Sequence, residues 1–369
     1  MINTKEFYDY LLSKKFDFFA GVPDSLLKNL CACIKENSDK KHNIITANEG
    51  NAVALASGYH IASGNYGVVY MQNSGIGNTV NPLLSLVDEE VYSIPMLLIV
   101  GWRGEPGVKD EPQHVKQGKV TIELFETMGI ECVILDENYK EKINYCYDYI
   151  SKNNKPIALI VRKGSFDEYK TSKPINNYTI TREEALETII DNLNNDDFIV
   201  STTGKTSREI FEIRERRNEE HSNDFLTVGS MGHTSSIALG MSIGSDKDIY
   251  CIDGDGSFIM HTGAFAVIPS VAEKNFKYIL INNGAHESVG GQPTVGFDID
   301  VEKLLLSFGF KNVYKATTTE EIEKYMNNLK ENELQALVIY TKLGSRDDLG
   351  RPTVSPINNK KAMMKKFED

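Results

Sequence analysis

The sequence lacks several features that assign a protein to a class at once. It has no run of about 18 apolar residues, and its first segment, MINTKEFYDY, has no apolar stretch like that of a signal peptide. The 5 cysteines are odd in number and form no CxxC pair, which is unlike a disulfide framework or a zinc site. We therefore expect a cytoplasmic protein with reduced thiols and no membrane partner.

Positively charged residues are also fewer than negatively charged ones. The chain has 40 lysine and arginine residues against 52 aspartate and glutamate residues, a formal net charge of −12. Its basic stretches are short and interrupted, so no nucleic-acid partner is expected. The turn Thr-Gly-Lys-Thr at residues 203–206 matches only half of a P-loop, because Ile199 stands where that motif requires glycine. This departure excludes a P-loop NTPase, although the turn remains a candidate phosphate contact.

The chain does contain enough apolar sequence for two domains. Its 369 residues are 41% hydrophobic. Apolar strands alternate with helical stretches, which predicts an α/β fold with two doubly wound parallel sheets. The predicted strands include residues 16–20, 44–47, 67–71, 95–101 and 157–161 in the first half and 197–201, 225–228, 276–281 and 335–341 in the second.

A polar run without a periodic pattern predicts a linker at residues 169–181. It separates a first domain, residues 1–168, from a second, residues 182–369. Thr181 and Glu184 have the spacing of a capping box, which predicts that a helix begins directly after the linker.

The segment 251–294 carries the most informative pattern. An apolar strand leads into the acidic turn 253–257, a helix is predicted from Phe258 to about Ala272, and the next strand ends in a pair of asparagines. Two parallel strands joined by a helix bring both strand ends to one edge of a sheet, where α/β folds bind ligands. Polar residues that are distant in the sequence are therefore expected to meet at this edge.

Asp255 and Asn283 are the residues expected to meet, although they are 28 positions apart. A carboxylate, an amide oxygen and a nearby backbone carbonyl form a hard-oxygen site, which suits Mg²⁺ that also holds phosphate oxygens. Gly254 and Gly256 let the backbone approach an anion, and the helix after Ser257 directs its amide groups towards it. An acidic turn and an unrelated Asn-Gly turn are the plainer interpretation of each half alone.

The same segment resembles the motif of thiamine-diphosphate enzymes, Gly-Asp-Gly followed after roughly thirty residues by Asn-Asn. The resemblance implies that Asp255, Asn283 and the carbonyl group of Ala285 ligate the metal. Asn282 lies 27 residues after Asp255, a common spacing in the family. We prefer Asn283, because LINNG then aligns better and one inserted residue before the strand explains the offset.

Glu49 follows a strand and precedes a helix rich in small residues. The segment ITANEGNAVALASGYHIASG resembles the first domain of thiamine-diphosphate enzymes, where one glutamate hydrogen-bonds the aminopyrimidine ring and thereby promotes loss of the thiazolium C2 proton. Burial beside an apolar ring would raise its pKa above the usual ~4.3. The alternative is a glutamate that complements a helix dipole.

The resemblance implies further contacts to the cofactor. Met231 stands where the family wedges a side chain between the two cofactor rings, and backbone groups around Gly229 and Met231 would bind the pyrimidine. A core methionine is the alternative. Thr203 and Gly204 occupy the turn that family members use around the diphosphate.

The whole chain resembles the phosphonopyruvate decarboxylase family of thiamine-diphosphate-dependent 2-oxo acid decarboxylases. The segments that carry the resemblance are GVPDSLL (21–27), NEGNAVALASGYH (48–60), MQNSGIGNTVNPLLSL (71–86), GWRGEPGVKDEPQH (101–114), GDGSF (254–258), NNGAHESVGGQPT (282–294) and GSRDDLGRPT (344–353). The resemblance implies a pyrimidine-binding domain, then a diphosphate-binding domain, with no middle domain. It also implies decarboxylation of 3-phosphonopyruvate to phosphonoacetaldehyde and CO₂, in phosphonate (2-aminoethylphosphonate) biosynthesis.

The resemblance extends to the oligomer. Glu49 lies in the first half and Asp255 in the second, and one cofactor must touch both. The resemblance implies that the halves facing one another come from different subunits, so a homo-oligomer is expected, at least a dimer with active sites at the subunit interface.

Residues for the substrate follow from position and charge. Ser25, next to Asp24, stands where relatives carry an Asp or Ser that faces the substrate. Asn73 lies near the strand end where pyruvate decarboxylases carry an adjacent His-His pair, which this chain lacks. Asp24, Ser25 and Asn73 are therefore candidate substrate contacts, and Ser25 and His286 are candidate catalytic groups. Glu287 and Gln292 follow the metal motif as further candidate proton donors or substrate contacts. Phosphonate recognition calls for cationic donors. The candidates are Arg103, Lys109 and His114, then Arg346 and Arg351.

Three alternatives remain open from the sequence. Sulfopyruvate decarboxylase has the same cofactor, with a sulfonate in place of the phosphonate. An acetolactate-synthase-like carboligase is disfavoured because such enzymes usually carry the middle domain. A non-catalytic thiamine-diphosphate-binding protein is disfavoured by the intact Glu49.

Overall fold

The computed structural model describes residues 1–171, 175–331 and 333–368. The chain divides into two compact units, Met1–Lys173 with Val289–Gln292, and Pro174–Ser288 with Pro293–Asp369. The predicted linker includes residues 172–174, which lie outside the described residues.

The first unit contains a six-stranded parallel sheet with the strand order β2-β1-β3-β4-β6-β5. Its strands are β1 (Phe18–Gly21), β2 (Asn43–Ile45), β3 (Gly67–Gln72), β4 (Met96–Gly101), β5 (Glu131–Ile134) and β6 (Ile157–Val161). Its helices are α1 (Thr4–Ser13), α2 (Lys28–Asn37), α3 (Glu49–Ser63), α4 (Ile76–Pro82), α5 (Pro112–Thr127) and α6 (Tyr139–Asn153). A 3₁₀ turn, Asn73–Gly75, precedes α4 and a π-helical turn, Leu83–Val87, follows it.

The second unit contains a six-stranded parallel sheet with the order β13-β14-β10-β9-β7-β8. Its strands are β7 (Phe198–Ser201), β8 (Asp224–Leu226), β9 (Ile249–Gly254), β10 (Phe276–Asn282), β13 (Asn312–Ala316) and β14 (Gln335–Tyr340). Two short strands, β11 (Ala285–His286) and β12 (Gln292–Pro293), follow β10. The helices are α7 (Arg182–Asp191), α8 (Lys205–Arg216), α9 (Thr234–Ile243), α10 (Asp255–Met260), α11 (Ala264–Val271), α12 (Val301–Phe308), α13 (Thr319–Leu329) and α14 (Pro356–Glu368).

Each sheet has a separate apolar core on each of its faces. In β3, Val68 belongs to one core cluster and Val69 to the other. In β10, Ile279 and Leu280 divide in the same way. Strands that are buried on both faces read as continuous apolar runs, which explains why they could be predicted. The predicted α/β class with two doubly wound parallel sheets is confirmed.

Helix boundaries agree with the prediction at one site and differ at another. The capping box is confirmed, since Thr181 accepts from the backbone N–H of Glu184 and the Glu184 side chain accepts from that of Thr181. The single helix predicted from Phe258 to about Ala272 is wrong. The segment forms α10 and α11, because the chain leaves the helical conformation at His261, where φ is −136° and ψ is 45°.

No helix among the described residues is long and apolar enough to cross a membrane. All five cysteines are free thiols: Cys31, Cys33, Cys146 and Cys251 are buried and Cys132 is partly buried. Burial raises the pKa of Cys31, Cys132 and Cys146 to about 12, so these thiols stay protonated near neutral pH.

Candidate active site

In the first unit, Glu49 is a buried carboxyl group at the start of α3. Asn48 caps this helix by accepting from the backbone N–H of Asn51 (3.1 Å), which fixes where the helix begins and so where Glu49 lies. The Asn78 side chain donates to Oε2 of Glu49 (2.7 Å). Burial raises the pKa of Glu49, while the Asn78 hydrogen bond acts in the opposite direction. A proton is therefore held more tightly here than on an ordinary glutamate.

Gly75 lies directly against Glu49. A Cβ atom added to Gly75 would overlap Oε1 of Glu49. The carboxyl group thus occupies the space in which a side chain at position 75 would lie, and its rotation is restricted from that side.

A second polar cluster of the first unit surrounds Arg103, just after β4. Its Nε and Nη2 donate to both oxygens of Asp110 (2.8 and 2.5 Å), and its Nη1 donates to the Ser25 hydroxyl (2.8 Å). Burial acts to raise the pKa of Asp110, but the Arg103 guanidinium lowers it to about 2. The arginine is consequently a fixed, charged group with a defined orientation.

Asp24 lies in the same cluster and is fully buried. It accepts from the Gln72 side chain (2.6 Å) and from the backbone N–H of Leu26 (2.8 Å). Burial raises its pKa, opposed by these hydrogen bonds and by the charge of Arg103. A Cβ atom on Gly101 would overlap Asp24, so the end of β4 must be glycine for this carboxyl group to fit.

The other predicted substrate residues of the first unit differ in position. Asn73 is fully buried and holds the backbone of Arg103, donating to its carbonyl group (2.8 Å) and accepting from its N–H (3.2 Å). Burial and the nearby Arg103 lower the pKa of His114 to about 4, so it is neutral at pH 7. Lys109 is exposed. The structure therefore brings together Asp24, Ser25 and Arg103, with Asn73 as a support.

In the second unit, one cavity of about 90 Å³ lies at the carboxyl ends of β7, β9 and β10. It is lined by Arg182, Thr202, Thr203, Lys205, Thr206, Met231, Gly254, Asp255, Gly256, Ser257, Ile281, Asn283, Ala285, His286, Glu287 and Ser288. Gly254 of β9 pairs with Ile281 of β10, which brings the acidic turn and the asparagine pair level with each other. Most residues predicted to hold the cofactor thus share one cavity; Gly229 and Gly204 are not among its lining residues.

Asp255 is the buried carboxyl group of this cavity. The Thr294 hydroxyl donates to its Oδ2, and backbone N–H groups of Asn283 and Gly256 also support it. Burial nevertheless raises the pKa of Asp255 to about 6. The same cause raises the pKa of the neighbouring Asp253 to about 6. The cavity thus contains a carboxyl group whose charge is not compensated by any cation bonded to it among the described residues.

The two asparagines differ in their surroundings: Asn282 bonds to the backbone and Asn283 lines the cavity. Asn282 is fully buried, donates to the carbonyl of Gly296 (2.6 Å) and accepts from the N–H of Gly284 (3.1 Å). Asn283 and Ala285 line the cavity together with Asp255. Asn283 is therefore the asparagine of the pair that lines the cavity beside Asp255, and Asn282 is not among the lining residues.

Met231 and His286 both lie close to Gly256 of the acidic turn. A Cβ atom on Gly256 would lie 2.8 Å from Nδ1 of His286 and 3.4 Å from the terminal methyl of Met231. Met231 is partly exposed in the cavity wall and is not a core residue. Burial lowers the pKa of His286 to about 4, so this imidazole is neutral at pH 7. The Thr203 hydroxyl donates its proton to the carbonyl of Val228 (2.9 Å). The Thr203 oxygen can therefore only accept a hydrogen bond from any further partner.

Behind Asn283 lies a cluster of four charged side chains: Arg182, Lys205, Glu209 and Glu287. Glu287 accepts from Arg182 (2.6 Å), from Lys205 (3.0 Å) and from the Asn283 amide (3.0 Å). Burial acts to raise the pKa of Glu287, but the two cations hold it below its ordinary value. Glu287 is consequently ionised at neutral pH.

Arg346, in the tail, is already engaged. Its guanidinium contacts Glu183 (2.8 Å), Asp348 (2.8 Å) and Glu212. With three carboxylates around it, Arg346 is a weaker candidate than Arg103 for binding an anionic substrate.

The comparisons with known proteins agree with this geometry. Residues 4–126 match the family Thiamine pyrophosphate enzyme, N-terminal TPP binding domain, and residues 202–339 match Thiamine pyrophosphate enzyme, C-terminal TPP binding domain. The two matches define a thiamine-pyrophosphate (thiamine-diphosphate) enzyme.

Curated relatives narrow this class. The chain is 30% identical to phosphonopyruvate decarboxylase of Streptomyces viridochromogenes, over 91% of this chain and 88% of that one. It is also 30% identical to phosphonopyruvate decarboxylase of Streptomyces hygroscopicus (91% and 87%) and 28% identical to sulfopyruvate decarboxylase of Methanosarcina acetivorans (89% and 88%). The chain belongs to the phosphonopyruvate decarboxylase family, whose members are thiamine-diphosphate-dependent carbon–carbon lyases.

Several residues of the site were missed from the sequence. Asn78, Asp110 and Thr294 all lie in segments that carry the family resemblance, so polar residues within those segments were the available signal. Arg182 lies outside every such segment. Its contact with Glu287 spans 105 positions and had no signal in a single sequence.

Proposed function

We propose that this enzyme decarboxylates 3-phosphonopyruvate to phosphonoacetaldehyde and CO₂, with thiamine diphosphate and Mg²⁺. The observation that carries the proposal is the position of Arg103, whose largely buried guanidinium is fixed beside Ser25 and Asp24. The chain that carries it is 30% identical to two phosphonopyruvate decarboxylases. We further propose that the reaction occurs in the cytoplasm and serves phosphonate biosynthesis.

The cavity of the second unit fits the metal-bound diphosphate. Asp255, Asn283 and Ala285 offer a carboxylate, an amide oxygen and a carbonyl oxygen, which is a donor set for a hard cation. The described residues contain no group of three or more His, Cys, Asp or Glu side chains that could hold a metal instead. The proposed ligands are therefore Asp255, Asn283 and the carbonyl of Ala285.

The cofactor, when bound, supplies an electron sink for the carbanion that decarboxylation leaves. Glu49 supplies a buried carboxyl group that can hold a proton for the aminopyrimidine. Met231 supplies an apolar side chain in the cavity wall, which suits contact with the cofactor rings. His286 is a neutral imidazole beside Gly256, which can donate a hydrogen bond and accept a proton, and it is a further proposed catalytic group.

Arg103 is proposed to bind the phosphonate. An arginine has five N–H donors, and three of those on Arg103 go to Asp110 and Ser25. Two donors thus have no hydrogen-bond partner among residues 1–171, 175–331 and 333–368. Charge-assisted hydrogen bonds from these two donors would suit the oxygens of a phosphonate.

Replacing Arg103 by glutamine is expected to weaken phosphonopyruvate binding by about 10–100-fold, the usual size of a lost charge-assisted hydrogen bond. Pyruvate has no phosphonate, so its KM should change much less. KM for both substrates, followed by CO₂ release, tests this. Arg162→Gln, which removes an exposed arginine paired with Glu105 in the same unit, is the control. Equal losses for both substrates would contradict the role of Arg103.

The second candidate is sulfopyruvate, favoured by the 28% identity to a sulfopyruvate decarboxylase. Both substrates present an oxyanion to Arg103, so the geometry of that residue does not separate them. A panel of phosphonopyruvate, sulfopyruvate and pyruvate, each with thiamine diphosphate and Mg²⁺, decides the matter by CO₂ release. A higher kcat/KM for sulfopyruvate would overturn the proposed substrate.

We also propose a homodimer at minimum, in which each active site takes Glu49 from one subunit and Asp255 from another. Mixing inactive Glu49→Gln and Asp255→Ala proteins under subunit exchange should then restore activity. A mixed dimer has one site with both lesions and one with neither, so random mixing restores on the order of one quarter of the parent activity. Absence of recovery despite demonstrated exchange, or an active monomer in sedimentation, would contradict the shared site.

A further inference from the structure

Asn283 is held at both ends of its amide group. Its Nδ2 donates to Oε2 of Glu287 (3.0 Å), and its Oδ1 accepts from the backbone N–H of Ala285 (3.1 Å). An ionised carboxylate can only accept hydrogen bonds, so only the NH₂ end of an amide can face it. The reversed amide would place two oxygens against each other and leave the Ala285 N–H opposite a donor.

Glu287 is in turn held by two cations. Arg182 donates to Oε2 of Glu287 and makes two hydrogen bonds with Glu209 (2.6 and 2.7 Å), while Lys205 donates to Oε1 of Glu287. The side chains of Arg182, Glu209 and Glu287 are at most 9% exposed. The four charges sum to zero, so the cluster is balanced only while Glu287 is charged.

We propose that Glu287 is a positioning residue for the metal site: it fixes the amide of Asn283 so that Oδ1, and not Nδ2, is presented as a ligand. The proposal rests on the metal site assigned under the proposed function. Arg182 and Lys205 keep Glu287 in place, and Glu209 keeps Arg182 in place. Buried ion pairs often add little stability, and apolar residues of similar volume would serve a purely structural role as well. Orientation of a neighbouring polar group is a role that apolar residues cannot take.

The first test is the Mg²⁺ affinity of Glu287→Gln in the presence of thiamine diphosphate, measured by calorimetry without substrate. A glutamine can donate as well as accept, so it tolerates either orientation of Asn283. Loss of such an outer partner typically weakens metal binding by about 10–100-fold. Glu219→Gln removes a carboxylate from the Arg214 pair in the same unit and should leave Mg²⁺ affinity unchanged. Equal Mg²⁺ affinity of Glu287→Gln and the parent would overturn the proposal.

The second test separates positioning from a structural role. In an Asn283→Asp background both side-chain oxygens are ligands and no orientation needs to be fixed. There Glu287→Gln also relieves repulsion between two carboxylates, so Mg²⁺ binding should strengthen and the sign of the effect should reverse. A structural role would weaken binding in both backgrounds and would overturn the proposal.

Folding is checked by a charge-conserving variant. Glu287→Asp keeps Arg182 compensated but withdraws the carboxylate from Asn283 by one methylene, so it should fold and still bind Mg²⁺ more weakly. Parent-like affinity of Glu287→Asp would contradict the positioning role. Because no substrate is present, these measurements do not depend on whether phosphonopyruvate is the substrate. Absence of Mg²⁺-dependent cofactor binding in the parent would instead overturn the metal site itself.

Discussion

Asp255→Ala is expected to lose Mg²⁺-dependent binding of thiamine diphosphate and, with it, all decarboxylase activity. Asp255 is the sole carboxylate among the three proposed metal ligands, and its Oδ2 already faces the hydroxyl of Thr294. Outer partners of metal ligands are worth about 10–100-fold in affinity, and removal of a charged ligand should cost at least as much. Calorimetric titration of cofactor and Mg²⁺ into the variant measures the loss. Full activity of the parent after chelation and dialysis would contradict a metal requirement.

The isosteric Asp255→Asn variant tests the same site through protein stability. Here we expect a gain: the metal-free variant should be more stable than the metal-free parent. Burial raises the pKa of Asp255 to about 6, so the folded, metal-free protein disfavours the ionised form. This penalty is fully present above about pH 6 and is lost as the pH falls from about 6 to the ordinary pKa of an aspartate, ~3.9. Asparagine removes the charge, so the metal-free variant should be more stable than the parent at pH 8, on the order of 2 kcal/mol, and not at pH 4. Thermal unfolding at both values, with exposed Asp246→Asn as the control, measures this difference.

Glu49→Gln is expected to slow exchange of the thiazolium C2 proton of bound cofactor by about 10²–10⁴-fold, the usual contribution of a general acid–base group. Glutamine has the shape of glutamate and its Oε1 can accept the Asn78 hydrogen bond, so folding and cofactor binding should persist. Quenched-flow exchange into D₂O followed by NMR measures the rate.

The control for this variant is Glu123→Gln, an exposed glutamate of α5 in the same unit. It should bind and exchange as the parent does. An unchanged exchange rate in Glu49→Gln would remove this residue from the mechanism. Loss of cofactor binding in Glu49→Gln would indicate a binding role in place of the proton transfer.

The fold was predictable where strands are buried on both faces. The run Ile157 to Val161 was predicted with the bounds that β6 has in the structure. The edge strands β5 and β13 were not predicted, because each alternates or mixes polar and apolar residues and has partly exposed positions. The helix 258–272 was predicted as continuous because its apolar content is high. The break at His261 lies between two apolar stretches and gives no periodic signal in the sequence.

The site was predictable where one residue type is required by the chemistry. Asp255, Asn283 and Ala285 were named from the sequence and line one cavity. Asn73 was named as a substrate contact, yet its hydrogen bonds go to Arg103 and Thr121. Asp110, which fixes Arg103, was not named: its segment carries the family resemblance, but only the folded loop distinguishes it from the other polar residues of that segment. Pairings between loops are set by the tertiary structure.

The overlap between position 75 and Glu49 has a consequence for how this family can diverge. A methyl group at residue 75 would overlap three atoms of the Glu49 side chain, so that side chain would have to move. The two positions are therefore coupled: a side chain at 75 displaces the carboxyl group from its place beside Asn78 unless position 49 carries a shorter residue. Homologues with alanine or a larger residue at the position of Gly75 should accordingly be rarer among lineages that keep the glutamate.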